Sequence, residues 1–192
     1  MYRIAAARPV DLALLPSIEL AAARLLAGHA PESVLAETTS VEVLERVQRL
    51  GQLWVALNDE APVVFAHVEI FESGSAHLDE IDVHPDHGRR GLGTRLVQAV
   101  CDWAASKGYR SVTLSTFRDV PWNMPFYARL GFEVLPPEAL TPALRTVVED
   151  ETRRGLDPNT RVVMQRLVPE VANTSISVAI FSPHLDRRCP AE

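Results

Sequence analysis

Lysine is almost missing from this chain of 192 residues. Lys107 is the only one, so arginine carries nearly all the positive charge. Basic residues number 19 against 25 acidic ones, a net charge of −6. That balance argues against an unselective nucleic-acid binder or a protein drawn to anionic membranes. There are two cysteines, Cys101 within a helical pattern and Cys189 near the C-terminus. So few exclude a disulfide framework and point to a reducing cytoplasm. No apolar run reaches the length of a membrane span, and Met1-Tyr2-Arg3-Ile4-Ala5 reads as the start of a strand and not as a signal peptide. Internal repeats and low-complexity segments are also absent. With 47% hydrophobic and 23% charged residues, the composition is that of a globular protein able to bury a real core. The length suits one domain over residues 1–168, followed by a tail over 169–192. That tail holds an apolar patch, Val178 to Phe181, and is expected to be loosely ordered or to lie against a second subunit in a homodimer.

Hydrophobic periodicity divides the domain into elements. Tyr2 to Ala7 is a first strand closed by Pro9. Asp11 is expected to cap a helix carrying Leu12, Leu15, Leu25 and Leu26 that ends at Gly28. Pro31 to Thr38 reads as a loop. Thr39-Ser40-Val41-Glu42 has capping-box spacing and opens a helix with Val43, Leu44, Val47 and Leu50 on one face. Leu53–Leu57 and Pro62–Phe71 are two strands joined across Asn58-Asp59, a hairpin signal. A third strand runs from Ala76 to Val83. Its apolar residues change parity, with Ala76 and Leu78 on one face and Ile81 and Val83 on the other. One extra residue at Asp79-Glu80 would restore a common face, so a β-bulge is predicted there. A helix with Leu92, Leu96, Val100, Trp103 and Ala104 in one stripe runs to Lys107 and stops at Gly108. Arg110–Phe117 is the next strand, and a crossover through that helix makes the pair parallel. A short helix follows Asn123 and ends at Gly131, Phe132 to Leu135 begins a strand, and Pro137 to Gly155 reads as a helix burying Leu140, Leu144, Val147 and Val148. Arg161–Val168 is the last strand.

The chemistry gathers where the third strand gives way to the long helix. Ile81-Asp82-Val83-His84-Pro85-Asp86-His87-Gly88-Arg89-Arg90-Gly91-Leu92-Gly93-Thr94-Arg95 is a strand, a glycine-punctuated turn and a helix start. The first amides of a helix have no intrahelical partner and sit at the positive end of its dipole, which suits an anion. The order of glycines, Gly88-x-x-Gly91-x-Gly93, is neither the dinucleotide fingerprint nor a P-loop, which needs a lysine.

That loop resembles the acyl-CoA loop of the GNAT superfamily of N-acyltransferases, Gln/Arg-x-x-Gly-x-Gly/Ala after a strand ending Val-x-Pro. It departs at one position, Gly88 standing where the leading Gln/Arg is usual. A second stretch, Phe126-Tyr127-x-x-x-Gly131-Phe132, resembles the second signature of the same superfamily. The order β α α β β β α β α β α β over residues 1–168 matches its layout. The resemblance implies an α/β (α+β) fold: a mixed, mostly antiparallel sheet with a parallel splayed strand pair and helices on both faces. It implies an acetyl-CoA-dependent N-acetyltransferase acting by direct attack within a ternary complex. Main-chain groups of Ile81, Asp82 and Val83 would pair with the pantetheine arm. The segment Gly88, Arg89, Arg90, Gly91, Leu92, Gly93 and Thr94 would hold the pyrophosphate, with Asn123 and Phe126 completing the cofactor contacts. The superfamily's cofactor-contacting asparagine usually stands seven residues before the tyrosine, a place taken here by Val120, so Asn123 has an equal reading as a helix cap.

An amine must be neutral to attack a thioester, and a lysine-type amine with pKa near ~10.4 is mostly protonated at neutral pH. The reaction therefore needs a proton acceptor and a donor for the departing thiolate. By the resemblance, Tyr127 is the donor. The acceptor stays open among His77, Asp79 and Glu80, with Glu69 on the neighbouring strand within the same reach. The amine is a small molecule or a protein N-terminus or lysine; the rival is a regulatory module that binds acyl-CoA without turnover. His84 and His87 lack further metal ligands, and no metal is expected.

Overall fold

The computed structural model describes residues 1–72 and 74–169; the tail reading falls on 170–192 and lies outside the described residues. Seven strands form one sheet in the order β1-β2-β3-β4-β5-β7-β6. They are β1 (Tyr2–Ala6), β2 (Leu53–Asn58), β3 (Ala61–Glu72), β4 (Ser75–Val83), β5 (Ser111–Phe117), β6 (Glu133–Val134) and β7 (Arg161–Leu167). All neighbours are antiparallel except β4 and β5. That exception follows from the intervening helix, which returns the chain to the edge it left.

The helices are α1 (Leu15–Ala23), α2 (Glu32–Leu35), α3 (Val41–Arg49), α4 (Leu92–Ser106), α5 (Met124–Arg129) and α6 (Pro142–Arg153). Helix α4 lies on one face of the sheet, where Leu92, Leu96, Val97, Val100 and Ala104 meet Val64, Ala66, Val68, Ala76, Leu78 and Leu114. On the opposite face Leu15 and Ile18 of α1 and Leu44 and Val47 of α3 pack on Leu53, Val55, Leu57 and Phe65. Each leucine so buried contributes roughly 1.5–3 kcal/mol. Among the described residues no helix is long and apolar enough to cross a membrane.

Local chemistry moved several boundaries. Asp11 does not cap α1. It is buried in a 3-10 turn (Pro9–Leu14), where its carboxylate accepts the Arg8 amide at 2.8 Å and the Arg8 guanidinium at 2.8 and 3.1 Å. The expected loop after Pro31 contains α2. Ser40 caps α3, its hydroxyl accepting the Val43 amide at 3.3 Å, and Leu50 faces solvent. Thr39, one residue earlier, is occupied with Glu19 of α1. The β2–β3 turn is centred on Asp59 and Glu60, both with positive φ, because Asn58 still pairs with Ala61. The segment from Pro137 splits into a 3-10 turn and α6, of which Leu144 alone is fully buried. An amphipathic pattern marks the side that faces inward, but the sheet here reaches only one position of that side.

Candidate active site

Strand β4 changes character halfway along. On the β3 side His67 faces Glu80 and Val68 faces Leu78, so Asp79 is the extra residue and the bulge falls where the parity change places it. On the β5 side the parallel pairing covers only Ser75, Ala76 and His77, against Ser111, Val112 and Thr113. Beyond that point the two strands part, and the main chain of β4 from Asp79 to Val83 has no partner on that side. The bulge keeps Ile81 and Val83 on the α4 face and turns His77, Glu80 and Asp82 to the other, beside Phe65, His67 and Glu69 of β3.

The loop after β4 is tied down at its start. A 3-10 turn over Pro85–His87 is closed by the Gly88 amide on the Pro85 carbonyl at 3.0 Å, and His87 Nδ1 lies 2.9 Å from the Tyr2 hydroxyl of β1. A Cβ on Gly88 would stand 3.2 Å from the Pro85 carbonyl oxygen, a tight approach. Gly91 caps α4 with φ of +72°, a backbone that favours glycine, and nothing lies within 4 Å of its added Cβ. The amides of Gly91, Leu92, Gly93 and Thr94 donate to no carbonyl. Arg89 and Arg95 flank them, and among the described residues neither is in an ion pair; Arg90 lies over the Tyr2 ring at 5.7 Å. These donors and cations together make a cradle that could receive an anion.

Helix α5 closes the side of the opening. Phe126 packs its ring edge toward Gly93, whose Cβ would lie 3.5 Å from Phe126 Cζ and 3.6 Å from Val83 Cγ2. The Tyr127 ring sits between Phe126 and Phe132, at 5.0 and 5.8 Å. Its hydroxyl bonds to no described residue, and desolvation first, then Glu80 and Asp82, push its pKa up. A phenol so placed holds its proton. Asn123 stands at the N-cap of α5 without bonding the helix through its side chain, so the capping alternative finds no hydrogen bond. Val120 is buried against Phe117 and Leu156.

The carboxylates lie closer together than the sequence suggested. Glu19 of α1, Glu80 and Asp82 bring oxygens within 4.8 Å of one another. Burial, then Glu19 and Asp79, raise Glu80 to about 8. Burial, then Glu80 and Glu19, hold Asp82 well above the carboxylate range. Glu19 is also raised, chiefly by burial, although the Thr39 amide at 2.9 Å and hydroxyl at 3.2 Å oppose this. Asp82 Oδ2 is sealed from water and accepts no hydrogen bond.

The remaining acceptor candidates are placed differently. His77 is buried at the point where the strands part, its Nδ1 2.9 Å from Thr113 Oγ1 and its ring 5.3 Å from that of Phe71, with Leu144 of α6 alongside. Asp79 points from the bulge with Oδ2 3.7 Å from His67 Nε2. Both histidines are driven toward the neutral form, first by burial, with Asp79 opposing. Glu69 is taken by Arg46 in a bidentate pair at 2.5 and 2.9 Å. Among the described residues His84 and His87 gather no third ligand, and Glu19, Glu80 and Asp82 have a spacing that a divalent ion also uses. Glu19 was not read as a site residue, since a glutamate in a helix carries no local signal of what stands opposite.

Three similarities bear on this arrangement. A stretch of 58 residues is 40% identical to an uncharacterized N-acetyltransferase of Methanocaldococcus jannaschii, covering 30% of this chain and 26% of that protein. The PaiA N-acetyltransferase of Thermoplasma acidophilum, solved in complex with coenzyme A, superposes with a TM-score of 0.68 at 18% identity over 87% of this chain and 99% of that one. The N-acetylglutamate synthase of Neisseria gonorrhoeae, complexed with coenzyme A and N-acetyl-glutamate, gives 0.67 at 18% identity, over 88% of this chain and 35% of that one. This chain thus spans a quarter to a third of two of these proteins and nearly all of the third. The two solved structures share the sheet and its helices, and the acetyltransferase (GNAT) family model matches residues 23–132. That match takes in more than half of the chain, from α1 through the cradle to Phe132, and this chain belongs to the GNAT family.

Proposed function

We propose that this protein is an acetyl-CoA-dependent N-acetyltransferase that acetylates a primary amine by direct attack with both substrates bound. The observation that supports this most is the opening between β4 and β5. Strand pairing stops at His77 and Thr113, and the unpaired amides of Gly91 to Thr94 stand at the far end of the same opening. An extended pantetheine arm adds to the free edge of β4 as an extra strand along Ile81 to Val83. Its diphosphate takes the cradle amides, and the thioester then lies beside Tyr127.

The acceptor amine enters from the carboxylate side as an ammonium. Glu80, beyond the point of parting and within electrostatic reach of Tyr127, takes its proton directly or through water. The free nitrogen attacks the thioester carbonyl, a C–N bond forms, and the tetrahedral intermediate expels the thiolate by breaking the C–S bond. Tyr127 protonates that sulfur, and the second proton shed by the nitrogen passes through water to restore the phenol, leaving the first on Glu80 to be lost to solvent. His77 is less suited to the acceptor role because Thr113 and Phe71 hold its ring in the closed part of the strand pair. The two coenzyme A complexes among the fold relatives support the choice of cofactor.

Calorimetric titration with coenzyme A, beside a free-thiol assay with acetyl-CoA and a panel of primary amines, tests the reading. Saturable heat and amine-dependent thiol release are expected, and Gly91→Val, which strains a +72° φ and crowds the amides, abolishes both. Tight binding with no thiol release on any amine assigns the chain to the non-catalytic alternative.

A further inference from the structure

We propose that the acceptor is an alkyl primary ammonium with no carboxylate or phosphate near its nitrogen, gripped by Glu19, Glu80 and Asp82 together. The inference rests on the acetyltransferase reading and narrows the chemical class of its second substrate. An ammonium presents three N–H donors on a compact head, and the three side chains offer oxygens within 4.8 Å of one another. Asp82 Oδ2, itself buried and without a hydrogen bond, is an acceptor for which the described residues supply no donor. Glu19 is held in place from α3's side by both the amide and the hydroxyl of Thr39, so its carboxylate is aimed before any ligand arrives.

The surrounding charges sharpen the class. From β4 the cluster meets Asp79 as well as its own two members, and from α5 it meets the uncharged Tyr127. The cations that feel it are Arg161 of β7 and Arg154 at the end of α6. Arg161 is bound to Glu151 at 2.5 and 3.1 Å and to Ser115 at 3.2 Å, and Arg154 is bound to Glu37 at 2.5 Å. Both are already paired, so an acceptor bearing a carboxylate or phosphate beside its amine meets three carboxyl groups and, among the described residues, no free counter-ion. Like charges set against one another at an interface exclude a partner more strongly than a good contact recruits one. Burial raises the pKa of each of the three carboxyls, and an arriving ammonium favours their ionised forms and so releases protons.

Initial rates with acetyl-CoA test the class on the full chain. The alkyl ammonium arms are 1,4-diaminobutane and an N-acetylated, C-amidated lysine peptide, which separate a small acceptor from a protein side chain. The anionic arms are L-glutamate and glucosamine 6-phosphate. At least one ammonium arm is expected to exceed both anionic arms by about 100-fold in kcat/KM. Glu19→Gln should raise KM for that acceptor about tenfold while the Kd for coenzyme A stays within twofold. Calorimetry of 1,4-diaminobutane with the coenzyme A complex, run in two buffers of different ionisation enthalpy, should show proton release that Glu19→Gln reduces. Faster turnover of an anionic arm overturns the inference and leaves the acetyltransferase reading intact. So does an unchanged KM in Glu19→Gln, or the absence of ammonium binding. Binding of Mg2+ or Ca2+ that needs Glu19 and that no ammonium displaces also overturns it, assigning the carboxylates to a metal. If coenzyme A itself fails to bind, the reading beneath it falls instead.

Discussion

The two ends of β4 obey different rules. From Ser75 to His77 the strand lies between β3 and β5, and with Leu78 its side chains are buried against α4 on one face and against Thr113 and Phe71 on the other. From Glu80 to Val83 it is paired on one edge, its apolar side still packs on α4, and its other side carries carboxylates. Asp79, the bulge residue, is the joint. The contrast teaches that one extra residue does two jobs. It keeps the hydrophobic parity so that the core continues, and it turns Glu80 and Asp82 to the face opposite α4, where β4 has parted from β5. Stability resides at the first end, and at the second end polar groups are left unsatisfied.

The widest break in this comparison comes from deleting packing at the closed end. Leu78→Ala should cost 2–5 kcal/mol, read as a lower midpoint in urea with an unchanged m-value, because a leucine 3% exposed leaves a cavity the sheet cannot collapse. At the open end the effect should move from stability to rate. Glu80→Gln is expected to lower kcat about 100-fold with a urea midpoint close to that of the parent, since the amide replaces a carboxyl that burial already keeps neutral near pH 7. A large loss of stability in this variant would erase the distinction between the two ends. Tyr127→Phe should lower kcat about tenfold with the Kd for coenzyme A unchanged, measured by thiol release and calorimetry.

The smallest effect is a slope. Glu80 has its folded pKa raised from 4.5 to about 8, so the folded chain holds a proton that the unfolded chain has lost across that window. Its contribution is fully present below pH 4.5 and disappears as pH rises toward 8. Asp82, shifted the same way, adds to the trend. The melting temperature should therefore drift down between about pH 5 and 8, and Glu80→Gln should flatten that drift. The catalytic profile runs opposite: an ionised Glu80 is needed, so kcat/KM should climb with pH and level off near 8.

Much of this organisation was legible in order along the chain. The parity change between Leu78 and Ile81 located the bulge, and the glycine spacing after Pro85 located the turn and the start of α4, because both depend on neighbours within a few residues. The helix starts were less legible. Asp11 and Thr39 have capping chemistry, but each spends it elsewhere, on Arg8 and on Glu19, and no local rule ranks one hydrogen-bond partner above another. His77 and Glu80 looked alike as proton acceptors for the same reason. Where the strand pairing ends separates them, and that depends on β5, more than thirty residues away.

The sequence by itself determined which residues alternate, where the chain must turn without a Cβ, and that a strand would run through a glycine-rich turn into a helix start. These follow from periodicity and backbone sterics, which act over one turn or one hairpin. Tertiary structure decided that Glu19 meets Glu80 and Asp82, that Arg161 and Arg154 are already neutralised, and that β4 and β5 part after His77. Desolvation and charge proximity act through space, and only the packing of α1 against the sheet puts carboxylates sixty residues apart into one field.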